Sequence, residues 1–166
     1  YLAAAVSDMA TVHVADLRTG YPPKMISPGK HPFPDLAPFY RDDITSPFGL
    51  FRRYQRFGAT TDQIASLIAS ATPNLLAVSS LFSAYSAQAL EVAAIAKAID
   101  PAIITVLGGI HPTLFPREVL AQGSVDYVIR GEGETPFRRL AEALTQGRRN
   151  DMASIPGLSF REANGV

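Results

Sequence analysis

The sequence predicts an α/β fold built on a doubly wound parallel sheet, and three observations carry that prediction. Apolar, β-rich runs such as Leu75-Leu-Ala-Val-Ser79 and Ile103-Ile-Thr-Val-Leu107 are too continuous for strands with one wet face. Segments of helical periodicity lie between such runs. The two kinds alternate along the chain, which calls for crossover connections and a sheet covered on both faces. At 166 residues and 47% hydrophobic, the chain can own a core. A globular chain of this size buries roughly 70% of the surface its unfolded form exposes. With no cysteine it forms no disulfide and offers no thiolate to zinc or to an iron–sulfur cluster.

The elements follow in order. Tyr1-Leu-Ala-Ala-Ala-Val6 is small, apolar and helix-prone, and residues 1–8 read as the remainder of an amphipathic helix whose upstream strand is absent. The chain is therefore expected to be a fragment of a larger cytoplasmic protein. No basic segment or cleavage motif makes the opening a signal peptide. Thr11-Val-His-Val-Ala15 alternates and is expected to be a strand ending at Asp16. Ile64, Leu67, Ile68 and Ala71 form a helical stripe behind a Thr60-x-x-Gln63 capping box. Leu75–Ser79 is the next strand, and Tyr85, Ala89, Val92, Ala96 and Ile99 form the next stripe. Ile103–Leu107 and Val125–Ile129 are further strands. Phe137, Leu140, Ala141 and Leu144 mark a helix expected to open on Thr135 as cap and Pro136 as first helical residue. Pro156-Gly-Leu-Ser-Phe-Arg161 with Asn164-Gly165 reads as a short strand entering a tight turn, its partner strand expected beyond Val166.

Residues 20–59 break the alternation. Pro22, Pro23, Pro28, Pro32, Pro34, Pro38 and Pro47 punctuate a stretch too long for a plain connection. It is either an insertion packed on the domain edge or a lid or contact surface anchored by Phe48, Phe51, Tyr54 and Phe57.

Charge narrows the function. Fifteen basic and fifteen acidic residues give net charge +0, so no global field gathers nucleic acid or anionic membrane. No apolar window approaches the ~18 residues of a membrane span. Charged residues make up 18%, below the usual ~25%. Either a surface covered by a ligand or another domain, or simply an Ala-rich composition, explains the deficit.

In an open parallel sheet, ligands lie beyond the carboxyl ends of the strands. Four such ends are expected, at Asp16–Gly20, Ser79–Ser83, Gly108–Thr113 and Arg130–Glu134. Glycines there let backbone approach a ligand, and serines add hydrogen bonds without bulk, which suits a large, flat or extended ligand. None has the Gly-x-Gly-x-x-Gly order of a dinucleotide loop, and there is no Walker lysine. His111, between Ile110 and Pro112, reads as a loop-shaping residue rather than a general base, while His13 and His31 read as structural. Glu132 and Glu134 are either an acid/base pair or carboxylates favouring a helix N-terminus. No spacing suits a nucleophilic triad or a metal cluster.

Gly108-Gly-Ile-His-Pro-Thr-Leu-Phe-Pro-Arg-Glu-Val-Leu120, Val125-Asp-Tyr-Val-Ile-Arg-Gly-Glu-Gly-Glu134 and Ile155-Pro-Gly-Leu-Ser-Phe160 together closely resemble the N-terminal domain of cobalamin-binding radical SAM proteins. That group includes the anaerobic magnesium-protoporphyrin monomethyl ester cyclases and related methyltransferases. Tyr1–Ala4 resembles the family's first helix, and Arg56–Ile64 a segment before its second strand pair. The resemblance implies a Rossmann-like domain over residues 1–150, with five parallel strands in flavodoxin-like order and a missing, central first strand upstream of Tyr1. It also implies that residues 151–166 start a linker or hairpin leading to a radical SAM barrel beyond Val166. That barrel would hold a four-iron four-sulfur cluster and S-adenosylmethionine.

The cofactor implied for this chain is cobalamin. By resemblance Ser79, Ser80, Leu81 and Ser83 would lie along its nucleotide tail, and Gly108 and Gly109, followed by Ile110, His111, Pro112 and Thr113, would let the tail pass close to backbone. Gly131, Glu132, Gly133 and Glu134 would flank it. The resemblance assigns no catalytic residue and no metal ligand to this chain. The Asp-x-His-x-x-Gly motif that places histidine on cobalt in methionine synthase-type domains is absent, so the lower face of the cobalt is expected to lack a histidine. The competing expectation is a degenerate docking or regulatory domain of the same fold that binds no cobalamin.

Overall fold

The computed structural model describes residues 1–26 and 54–161. They fall into two compact units, Tyr1–Ala15 with Thr61–Val166, and Asp16–Thr60. In the smaller unit, strand β1 (Lys24–Ile26) pairs antiparallel with β2 (Tyr54–Arg56). Asp16 turns the chain, its Oδ1 accepting the amides of Arg18 at 2.8 Å and Thr19 at 3.2 Å. These bonds and the Thr19 hydroxyl hold its carboxyl below the ordinary range. Phe48 and Phe51 lie outside the described residues, as do Asn164 and Gly165, and Phe57 is exposed.

The larger unit carries the sheet. Helix α1 (Leu2–Val6) opens the unit. After α2 (Thr61–Ala71) come β3 (Leu75–Ser79), α3 (Ser86–Ile99) and β4 (Ile104–Gly108). Two single-turn helices follow, α4 (Ile110–Leu114) and α5 (Pro116–Leu120). The chain then runs through β5 (Tyr127–Ile129), α6 (Glu134–Thr145) and β6 (Leu158–Phe160). The sheet order is β3-β4-β5-β6, with the first three strands parallel and β6 antiparallel to β5. The α/β class and Rossmann-like, mostly parallel sheet are as the sequence predicts.

Alternate residues of the apolar runs explain their continuity. Val106 and Ile129 pack with α1 and α6 through Val6, Phe137 and Leu140, while Leu107 and Val128 pack with Ala89, Ala93, Val119 and Leu120 of α3 and α5. Both faces of β4 and β5 are thus dry, and strands between two dry faces need apolar side chains at every position; β3, at the end of the described sheet order, leaves Ala77 and Ser79 exposed. The stripe of α3 is buried at Ala89, Val92 and Ala96 but exposed at its ends, Tyr85 and Ile99. In α2, Ile64 and Ile68 are buried and Leu67 is exposed.

Three expectations are corrected. Thr11–Ala15 forms no strand, and Val14 is 81% exposed. Alternation makes a strand only where a neighbour accepts its hydrogen bonds, and none of the described strands lies beside this segment. Consequently Asp16–Gly20 is not a strand end. Helix α6 starts at Glu134 with Gly133 as its cap, because the Gly133 carbonyl accepts the Phe137 amide at 2.9 Å and closes the first turn ahead of Thr135. Pro136 still falls within that turn, where its missing N–H costs nothing. Within the described residues β6 pairs with β5, Leu158 with Ile129 and Phe160 with Tyr127. Gly157 makes that return possible, since at φ +79° any Cβ would lie 2.8 Å from the Arg130 carbonyl.

The amino end of the sheet is locked by polar groups. Thr105 is fully buried, its Oγ1 donating to the Ser124 carbonyl at 2.6 Å and its amide donating to Asp126 Oδ2 at 2.8 Å. Lys97 pairs with the same carboxylate at 2.7 Å, and Arg161 donates to the Val125 carbonyl at 2.8 Å. On the other face Arg138 clips α1 to α6, with bonds of 2.8 and 2.9 Å to the two oxygens of Asp8 and one of 2.8 Å to the Ala5 carbonyl. The Arg138 hydrogen bonds hold the Asp8 carboxyl below its usual range. No described helix is long and apolar enough to cross a membrane.

Thr105→Val is expected to lower unfolding free energy by about 1–3 kcal/mol in denaturant titrations, because the Ser124 carbonyl loses its hydroxyl donor and the Asp126 amide loses one of its acceptors. Asp8→Asn is expected to lower the melting temperature at neutral pH. Since its folded pKa is depressed, Asp8 contributes stability above the unfolded carboxylate value of about 3.9 and loses it as pH falls through the lower folded value. Melting curves of the variant and the parent should therefore converge at acid pH.

Candidate functional site

Three strands end on one line. In the register Ser79 is opposite Gly108 and Gly108 opposite Ile129, so β3, β4 and β5 stop at the same height. The loops after them, 80–83, 109–113 and 130–134, are neighbours for that reason. They are also stitched together. The Ser80 amide donates to the Gly108 carbonyl at 2.8 Å. Thr113 Oγ1 donates to the Gly109 carbonyl at 2.7 Å and accepts the Gly131 amide at 3.0 Å, joining the second loop to the third.

Gly109 is required by this arrangement. At φ +109° it lies against Ser80, and a Cβ would collide with the Ser80 carbonyl oxygen. Gly108 has ordinary room, the Ile129 carbonyl standing 3.7 Å from where its Cβ would be. Gly131 at φ +73° faces open space, whereas Gly133 adjoins the Leu2 side chain, 2.9 Å from the position of an added Cβ.

The structure therefore brings the expected residues to one edge but presents them unequally. Ser79, Leu81, Ser83, Ile110, Gly131, Glu132 and Glu134 are exposed there. Pro112 is buried in the core, and the Thr113 hydroxyl is engaged within the protein. Glu134 sits in the first turn of α6, where a carboxylate is favoured by the helix dipole. His111 packs against Phe115, ring centroids 5.1 Å apart. Among the described residues, Ser80 Oγ and His111 Nδ1 are the buried side-chain polar atoms without a hydrogen-bond partner.

Phe82, Tyr85, Leu114 and Phe115 were not singled out for this edge by sequence reasoning, yet all are exposed beside Leu81 and Ile110. Phe82 and Tyr85 meet edge to face at 6.3 Å. Their signal was a cluster of large apolar side chains just past strand ends, where a solvated loop would be polar. The edge thus offers an apolar surface bordered by hydroxyls and glycine backbone. Such a surface suits a large, flat ligand with a polar rim.

A Rossmann-like domain whose parallel strands end level at one edge of the sheet is the class that these features define. Residues 53–141 match the family described as the B12 binding domain, and the chain belongs to that family. It is 36% identical over 104 residues to an uncharacterised methyltransferase of Pyrococcus horikoshii, covering 62% of this chain and 22% of that protein. It is 34% identical over 107 residues to the anaerobic magnesium-protoporphyrin IX monomethyl ester cyclase of Rubrivivax gelatinosus, covering 63% of this chain and 19% of that one. A similar solved structure is the radical S-adenosylmethionine methyltransferase TsrM of Kitasatospora setae, with TM-score 0.53 and 24% identity over 63% of this chain and 20% of that one. The chain therefore spans about a fifth of the length of these relatives.

Gly109→Ala is expected to destabilise the fold by about 2 kcal/mol or more, because it combines strained backbone with a clash against Ser80. Gly108→Ala should stay within about 1 kcal/mol of the parent in the same denaturant titration.

Proposed function

We propose that this chain binds cobalamin across the carboxyl edge of β3, β4 and β5, as the cofactor module of a radical SAM enzyme that carries out methyl transfer or oxidative cyclisation. The level row Ser79–Gly108–Ile129, with exposed apolar side chains beyond it, carries the reading. Membership of the B12 binding domain family supports it. The similar proteins named as a methyltransferase and a cyclase support the reaction class.

Within this reading the chain's residues bind and orient. Leu81, Phe82, Ile110 and Leu114 offer apolar contact to the macrocycle, and Ser79 and Ser83 offer hydroxyls to its polar periphery. Gly108 keeps the backbone accessible, while Gly109 and Thr113 hold the loops in place. Bound there, the cofactor would supply the alkyl-transfer chemistry that these side chains do not provide. No Asp-x-His-x-x-Gly sequence is present to place a histidine beneath the cobalt. The parent polypeptide would add a barrel carrying the four-iron four-sulfur cluster and S-adenosylmethionine.

A second reading, a docking domain without cofactor, is favoured by the same exposed apolar row, which another domain could cover equally well. Mixing with hydroxocobalamin followed by gel filtration separates the two, with both this chain and its parent polypeptide. The expected result is corrin absorbance eluting with protein, weakened by Gly108→Ala. A colourless protein peak in both cases, with undiminished binding of partner domains, establishes the docking role instead.

A further inference from the structure

Two buried polar atoms on adjacent loops have nothing to bond to. Ser80 is 3% exposed, and its Oγ has no partner. His111 Nδ1, two residues past the glycine that presses on Ser80, is equally without one. A buried polar group without a partner forfeits its hydration, so such groups are rare in folded proteins and call for a missing partner. Elsewhere in the described unit the polar groups of the core are matched. Thr105, fully buried at the opposite end of β4, is saturated by Ser124 and Asp126. The unmatched pair occurs at the edge where the strands end.

The chemistry of the two atoms is informative. A hydroxyl donates and accepts, and an imidazole nitrogen does one or the other according to tautomer. Neither brings the fixed fork of donors with which arginine grips phosphate. A carboxamide, with one acceptor oxygen and a donor nitrogen, matches this couple better than an anion does. Corrin rings carry carboxamides around their rim. Both atoms are covered in the ligand-free fold, and presenting them needs a side-chain rotation at positions whose neighbours along the chain, Leu81 and Ile110, are exposed.

We infer that Ser80 Oγ and His111 Nδ1 are specificity-determining groups that hydrogen-bond a carboxamide of the corrin rim. This rests on the cobalamin reading above. It assigns the two residues a shared debt in the empty fold that the ligand relieves, so each should cost stability without ligand and add affinity with it. A merely structural serine or histidine would do neither.

The test measures both quantities on Ser80→Ala and on His111→Phe, the latter keeping a ring against Phe115. The ligand-free melting temperature should stay level or rise by a few degrees in each variant, as a buried unpaired group is removed. Affinity for hydroxocobalamin should fall about tenfold, the scale of one lost hydrogen bond in a dry site. Affinity for dicyanocobinamide, which keeps the corrin carboxamides and lacks the nucleotide, should fall by the same factor. Unchanged hydroxocobalamin affinity in both variants overturns the inference while leaving cobalamin binding intact. So does a loss of affinity that merely tracks lowered ligand-free stability. A loss confined to hydroxocobalamin, or cobinamide that fails to bind the unsubstituted chain, moves the partner to the nucleotide and overturns the carboxamide assignment. An unsubstituted chain that binds neither corrinoid overturns the cobalamin reading and this inference with it.

Discussion

The level at which β3, β4 and β5 end is the constraint on which everything functional in this chain depends. It is set largely from the far end of the sheet. Thr105 and Asp126 bond reciprocally, the Asp126 amide donating to the Thr105 carbonyl and hydroxyl and its carboxylate accepting the Thr105 amide. That lock fixes the height at which β5 starts against β4. With β3 held to β4 over five residue pairs from Leu75 to Ser79, the three carboxyl ends fall in one row. A slip of one residue would also exchange the two faces of a strand, placing Val128 where Ile129 now packs.

Packing and polarity divide the work between the ends of the sheet. The amino end spends its polar groups on one another, with Lys97, Asp126, Thr105 and Arg161 mutually bonded or bonded to carbonyls. At the carboxyl end the backbone is stitched by Ser80 and Thr113, yet side chains remain available. Leu81, Phe82, Ile110 and Leu114 stay exposed and two polar atoms stay unmatched. An apolar surface of this kind costs solubility unless something covers it. The same asymmetry gives physical content to the low charged fraction of the sequence.

The glycines of the edge have separate duties that their shared position in a motif conceals. Gly109 serves the protein's own packing against Ser80, and Gly133 borders Leu2 of α1. Gly108 and Gly131 have room around them, so no packing within the fold requires their lack of a side chain. The Thr113 hydroxyl joins two loops of the motif. The motif is thus as much a device for bringing loops together as a set of contacts.

Residue types and their periodicity determined the fold class by themselves, because strands dry on both faces and helices with one buried stripe leave local patterns. Val106 and Leu107 of β4 are buried on opposite faces for that reason, and α3 buries its stripe at Ala89, Val92 and Ala96. The loops past the strand ends were equally legible, since glycine and serine mark close backbone approach. Pairing was not. Thr11–Ala15 alternates like a strand and forms none, while β6 turns back onto β5, since a ladder needs a neighbour at bonding distance and local sequence does not specify one. Nor could sequence tell Thr113, whose hydroxyl is satisfied, from Ser80, whose hydroxyl is not. Satisfaction depends on which atoms the fold brings within reach, and that was decided by tertiary structure alone.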